Sequence, residues 1–341
     1  MKITDIDVVR VFVPWKDSFK EPMAVWHAPS TEEEDAYCII RVHTDEGITG
    51  IGEGGRSVPE GKAKAQEFIG QNPLEMDIYS LRPPWVHAMF DIVGKALGVP
   101  AYRLLGSKVR DVFPVAYWSP YQSPEITRQH AEEAVELGCK VHKIKARPDN
   151  VIEQVKAIAE GGGPDLAIRL DPNCHFDTLA QTVKIDRALE GYNIECFEDP
   201  FSKRRMALYR LAREKCHIPI ALHSADLALI MDAVRLDAID YLNTGGPPEH
   251  ARKTAALAEA NGIPVWIQFE GHCLDVAAAF DAHLGAVVPN FTLPADSLPF
   301  LRERGITKEG LPVINGEIPV PQGSGLGVTL DEELVAKYRV E

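Results

Sequence analysis

Three apolar runs in this chain close on charged residues at a nearly constant interval. They are Val141-His142-Lys143-Ile144-Lys145, Ala167-Ile168-Arg169-Leu170-Asp171 and Ile194-Glu195-Cys196-Phe197-Glu198, each preceded by a helical pattern. From 145 to 171 is 26 residues and from 171 to 198 is 27. That is the length of one βα unit, and charged groups at the carboxyl ends of successive parallel strands are where a (β/α)8 barrel carries its chemistry. Lys143 and Lys145, two residues apart, share one face of their strand. Inside a barrel that face is costly for ammonium groups without carboxylate neighbours, and Asp171 and Glu198 are such neighbours.

The grouping fits a metal held by carboxylates with a lysine beside it as base. Aspartate and glutamate oxygens suit a hard divalent cation such as Mg2+. The cation's charge and desolvation bring a nearby lysine into the working range of a base. Such a site removes a proton alpha to a carboxylate and stabilises the resulting enediolate. Any one lysine or carboxylate at a strand end is ordinarily solvated or paired, so the constraint lies in all four falling on one period.

A chain of 341 residues exceeds the ~250 typical of such a barrel and leaves roughly 90 for a second unit. Its 45% apolar and 25% charged residues are those of an ordinary globular protein with a large core. The net charge of -14 argues against a nucleic-acid or anionic-membrane partner, but not against an anionic substrate met by local lysines. The first residues lack a secretory pattern and no run reaches a membrane span, so a cytoplasmic location is expected. Six cysteines (38, 139, 174, 196, 216, 273) show no paired spacing. Cys174, beside Asp171 and Asn173, is a candidate pocket thiol, although a lone cysteine is more often inert packing.

Along the chain, 2–13 reads as a strand and 36–53 as a hairpin turning at 44–47. Between them 14–34 reads as a long loop rich in aromatics. Helical patterns follow at 60–71 and 84–97, and 125–137 carries apolar positions at helical spacing. Barrel strands are expected near 112–118, 140–145, 167–171, 194–198, 219–223, 238–243, 264–269 and 286–291.

Lys143-Ile144-Lys145, Asp171-Pro172-Asn173 and Glu198-Asp199-Pro200 resemble the strand-end motifs of the enolase superfamily, in its mandelate racemase and muconate lactonizing branch. The stretch 88–98 followed by 102–106 is similar to that family's hallmark at the end of its capping domain, and Gly323-Ser324-Gly325-Leu326-Gly327-Val328 to its closing glycine-rich segment. As a set these are specific. The resemblance implies an α/β fold: a (β/α)8-type TIM barrel (112–313), an N-terminal α+β capping domain (1–111) and a C-terminal segment (314–341) that packs back on it. It also implies a loop between the first strands that closes over the barrel mouth, making Trp15, Lys16, Lys20, Trp26, His27 and Arg56 specificity candidates. The same residues also suit an ordinary surface loop.

Two departures from the family pattern stand out. Its third metal-binding carboxylate belongs at the end of the fifth strand, and here His223 holds that place, 25 residues beyond Glu198. Imidazole suits Zn2+, Mn2+ or Fe2+ better than Mg2+. The readings left open are a weakened two-carboxylate site, a softer metal through His223, Asp226 reaching in from the next turn, and His223 as a general acid. The second departure is across the barrel, where no lysine closes the sixth strand. Asn243 is the expected pocket-facing group there, with Asn173 a further substrate contact. Glu270 and His272 follow the seventh strand as candidates for the acid, with helix capping and solvation as their bland alternatives.

These residues imply a lyase. Lys145 takes the alpha proton, Lys143 tunes it and helps neutralise the enediolate, Asp171 and Glu198 hold the metal, and loss of a beta-hydroxyl makes a dehydratase of a sugar acid or related hydroxy acid. A racemase, epimerase or cycloisomerase is the alternative within the class. Outside it stands a weakened barrel kept as a carboxylate-binding or structural protein. A small-molecule carboxylate partner and a homo-oligomer are expected from the resemblance.

Overall fold

The computed structural model describes residues 1–26, 35–268, 273–296 and 298–340. The N-terminal part runs β1 (Ile3–Val11), α1 (Asp17–Trp26), β2 (Tyr37–Thr44), β3 (Thr49–Glu53), α2 (Val58–Ala65), α3 (Trp85–Leu97) and α4 (Ala101–Leu105). The stretch expected as a loop therefore contains a helix, whose Phe19 and Met23 are buried. α3 lies on β3 closely enough that only glycine fits beneath it. A Cβ at Gly50 would stand 2.3 Å from the Ala88 carbonyl oxygen, and one at Gly52 would stand 2.1 Å from that of Pro84.

The barrel follows with β4 (Val112–Pro114), β5 (Tyr117–Ser119), α5 (Pro124–Glu136), β6 (Val141–Lys145), α6 (Val151–Gly162), β7 (Ala167–Asp171), α7 (Leu179–Ala188), β8 (Ile194–Glu198), α8 (Met206–Lys215), β9 (Ile220–His223), α9 (Leu227–Arg235), β10 (Tyr241–Thr244), α10 (Pro248–Glu259), β11 (Val265–Ile267) and α11 (Asp275–Gly285). β5 to β11 form one parallel sheet in sequential order. Residues 291–296 close it, bridging in parallel from Phe291 to Val265, from Asp296 to Gln268 and from Ala295 to Val115. The result is a (β/α)8-type barrel with an N-terminal α+β cap.

Two expected strands fall elsewhere. The apolar run at 286–291 looks like a strand, but its start is the end of α11 and the turn beyond. Arg110 gathers that turn by donating to the carbonyl oxygens of Gly285, Val288 and Pro289. The eighth strand position is therefore taken five residues later. The expected 112–118 strand splits into β4, which leaves the barrel, and β5, which joins β6.

The C-terminal segment supplies β12 (Glu317–Pro319), which pairs with β4, then α12 (Glu332–Lys337) and β13 (Arg339–Val340), which pairs with β1. Its glycine-rich turn docks on α3. Buried Asp91 accepts from the backbone N–H of Leu326 and of Ile51 and from Lys95. Gly325, at φ +70, comes so close that a Cβ would lie 2.1 Å from the Asp91 carboxylate. Among the described residues no helix is long and apolar enough to cross a membrane.

Candidate active site

The two-residue alternation of β6 sends His142 toward the helical layer, where its Nε2 lies 2.7 Å from Ser119 Oγ, and sends Lys143 and Lys145 inward. Parallel register sets Lys145 beside Asp171 and Lys143 beside Arg169. Lys143 is 1% exposed. Its Nζ lies 2.6 Å from Asp296 Oδ2, 2.7 Å from Glu198 Oε2 and 3.6 Å from Asp171 Oδ2. Lys145 Nζ sits 2.5 Å from Asp171 Oδ2 with its side chain 12% exposed. One lysine is sealed in and its neighbour reaches toward the mouth.

Three members of this cluster were not singled out by sequence reasoning. Asp296 accepts from Lys143, from Trp266 Nε1 at 3.2 Å and from Arg169 Nη1 at 3.2 Å. It closes the eighth strand position, in a stretch with no strand pattern, and only the βα period counted on from the seventh strand points to it. Arg169 was legible, since it shares the inward face of β7 with Asp171. It lies 3.9 Å over the ring of Trp266 and donates to Glu195 at 2.6 Å. Gln268, one residue beyond β11, accepts from Asn243 Nδ2 at 3.1 Å.

Asn243 faces the cluster as expected, fully buried, donating to Glu198 Oε1 at 2.7 Å. Its Oδ1 has no donor among the described residues. Asn173 adopts φ +45, which turns its backbone N–H to Asp171 Oδ1 at 2.9 Å. His223 closes β9, its Nδ1 3.8 Å from Glu198 Oε1. Asp226 lies one turn on and caps α9 through the backbone N–H of Ala228 and Leu229, which commits one of its oxygens away from the cluster. Arg56 donates to Tyr37 Oη at 3.4 Å and lies 3.5 Å from Asp35. Trp15 is buried with Arg302 stacked 3.3 Å over its ring, so it packs the core rather than lining the mouth. Trp26 ends α1. His27, Glu270 and His272 lie outside the described residues.

The charges sort themselves by surroundings. Burial alone would lower Lys143, but Asp296, Glu198 and Asp171 outweigh it and hold the ammonium well above its ordinary range. Burial would raise Asp171, yet Lys145 and Lys143 pull it well below the usual carboxylate range. Glu198 is pushed up to about 7 by burial, which outweighs the pull of Lys143, with Asp171 and Asp296 adding to the rise. His223 is pushed down to about 3 by burial and by Lys143 and Lys203. Its side chain is a third exposed, which tempers the size of that drop and not its direction: the ring is neutral at pH 7.

Beside the cluster opens a cavity of about 260 Å3. His223, Ala225, Gly245, Gly246 and Gln268 line it from the strand ends, His87 from α3, and Phe280 and Asp281 from α11. The Enolase C-terminal domain-like family matches residues 127–334, which takes in every strand end of the cluster.

The chain belongs to the mandelate racemase and muconate lactonizing branch of the enolase superfamily. Relatives in this branch run different reactions on one frame. The chain is 26% identical to a chloromuconate cycloisomerase of Cupriavidus pinatubonensis, over 99% of each protein. It is 27% identical to a D-xylonate dehydratase of Haloferax volcanii, over 89% of this chain and 86% of that one. A solved isomerase structure from Streptomyces coelicolor superposes with a TM-score of 0.81 at 25% identity, covering 99% of this chain and 98% of that one.

Superfamily members generally use Mg2+. Asp171 and Glu198 offer oxygens from adjacent strands, but the third place holds an imidazole. Among the described residues no group of three histidine, cysteine, aspartate or glutamate side chains is placed to hold a metal ion. The donor set does not fit a hard three-carboxylate Mg2+ site.

Proposed function

We propose that this member of the superfamily removes the proton alpha to the carboxylate of a small hydroxylated acid and expels the beta-hydroxyl, as a sugar-acid dehydratase does. The observation that carries this reading is the pair Lys145 and Lys143. One lysine nitrogen reaches the mouth, and its neighbour two residues back on the same strand face is a sealed ammonium. In its amine form Lys145 takes the alpha proton. The electron pair of the broken C–H bond moves toward the carboxylate, and the growing negative charge faces Lys143. Return of that pair breaks the beta C–O bond, and the hydroxyl leaves as water with a proton from an acid. The enol that remains becomes a 2-oxo acid.

For that acid the candidates remain Glu270 and His272, since the His223 ring, held neutral, has no imidazolium proton to give. A neutral His223 on the cavity wall suits hydrogen bonding to a hydroxyl. Asn243 Oδ1, a buried acceptor without a donor among the described residues, also favours a substrate bearing hydroxyl groups. Across the barrel from Lys145 the described strand ends carry Asn243 and Gln268, whose amides do not titrate. Racemisation needs a base on each face of the carbon, a second role that would fall to Glu270 or His272, whereas dehydration asks for one base. Cycloisomerisation shares that economy of bases and is the second reading, supported by the cycloisomerase relative.

The test is a panel of aldonic and aldaric acids assayed for 2-oxo acid formation. A 2-oxo product from at least one acid supports dehydration. Epimerised or lactone product without 2-oxo acid would remove it in favour of the isomerase readings.

A further inference from the structure

We propose that the Lys143 ammonium is the resident cation of the carboxylate cluster, so that this barrel handles the enediolate charge with a lysine and carries no bound divalent metal there. The inference rests on the proton-abstraction reading and adds to it the identity of the charge-neutralising group.

Each carboxylate in the cluster already faces a cation. Asp171 has Lys145 at 2.5 Å, Asp296 has Lys143 at 2.6 Å and Arg169 at 3.2 Å, and Glu198 has Lys143 at 2.7 Å. Lys143 stands between Glu198 and Asp296, where a dication would gather the same oxygens. At 1% exposure it has no solvent to retreat into, and two like-charged centres a few ångströms apart in a buried site repel strongly. Of the two Glu198 oxygens, Oε2 meets Lys143 as an ion pair without an aligned hydrogen bond, and Oε1 is hydrogen-bonded. Asn243 points its NH2 at Oε1 from 2.7 Å, and that orientation is fixed by Gln268 Oε1 at 3.1 Å on the same nitrogen. A hydrogen-bond donor aimed at a carboxylate oxygen competes with a metal for its lone pairs. The side chain that completes the ring at the fifth strand is a neutral imidazole, which adds no negative charge to draw a hard cation in.

The experiment is calorimetric titration of the EDTA-dialysed protein with Mg2+, Mn2+ and Zn2+, with thermal melts in parallel. The expected result is no saturable one-equivalent site at millimolar Mg2+ or Mn2+ and no rise in Tm for the wild type. Lys143→Met should melt lower, acquire a one-equivalent Mn2+ site and regain part of the lost Tm on adding Mn2+. Saturable binding of any of the three metals by the wild type, abolished by Asp171→Asn or His223→Ala, would overturn the proposal. The wild-type titration decides even where Lys143→Met does not fold. A parallel assay of substrate alpha-proton exchange in EDTA separates the two claims. Exchange that needs added metal overturns the lysine proposal and leaves proton abstraction standing. No exchange with or without metal overturns abstraction, while the titration still judges Lys143.

Discussion

Lys143 and Lys145 differ by two positions and by almost everything in their surroundings. Strand alternation made their common face legible from the sequence, and the resemblance supplied the roles of base and neutralising neighbour, but not the division into one sealed lysine and one at the mouth. That division depends on Asp296, whose segment carries no strand pattern, and on the depth at which β6 sits. Asp296 joins Lys143 to Arg169, so removing its charge while keeping its shape isolates the contribution of the pairing. Asp296→Asn is expected to lower unfolding free energy by roughly 3 kcal/mol, the low end for breaking a buried pair because Lys143 keeps Glu198 and Arg169 keeps Glu195. Urea unfolding checks it, and a loss within error of zero would show that the network does not bear on stability. His223 illustrates a different limit. Its place at the strand end was readable from the interval alone, whereas its neutrality and its 3.8 Å separation from Glu198 required the structure.

At the scale of elements, β6, β7 and β8 end on the expected residues because apolar alternation, the βα period and the charged stop coincide there. The eighth strand was displaced because an apolar run at a helix end and a buried strand share one composition. The helix α1, inside an expected loop, was hidden by Pro22 and its aromatic surroundings. The contact between β3 and α11 had no sequence signal at all. Glu53 closes β3 and accepts from the backbone N–H of Leu274 at 2.5 Å and of Ala277 at 3.0 Å, at the start of α11. It thereby ties the cap to the helix that follows the segment bearing Glu270 and His272. Burial pushes Glu53 up to about 7, against those two donors and from an ordinary 4.5. A carboxyl that holds its proton longer when folded favours the folded state at low pH, and that contribution is lost as pH rises from about 4.5 through 7. The stability advantage of the wild type over Glu53→Gln should therefore shrink by up to about 3 kcal/mol between pH 5 and pH 7.5. Denaturant unfolding of both proteins at the two pH values measures this, and an unchanged difference would contradict it.

The whole molecule carries a net charge of -14 and reserves for its barrel one sealed lysine, Lys143, and one that reaches the mouth, Lys145. Net charge indicated only which partners to exclude. The barrel, its cap and the returning C-terminal segment were legible because the motifs that carry them recur at fixed places. Reaction type was less so, since relatives on this frame include both cycloisomerases and dehydratases and the deciding groups are single side chains at strand ends. What unites the readings is removal of an alpha proton by Lys145. The most direct test is NMR detection of deuterium entering the alpha position of carboxylate substrates in D2O, comparing wild type with Lys145→Ala. The account predicts exchange or alpha-deuterated product with the wild type. It predicts none above background with Lys145→Ala, whose fold, checked by circular dichroism, stays intact. Undiminished exchange in the variant would contradict the assignment of the base, and no exchange by the wild type on any acid would leave the barrel as a carboxylate-binding protein.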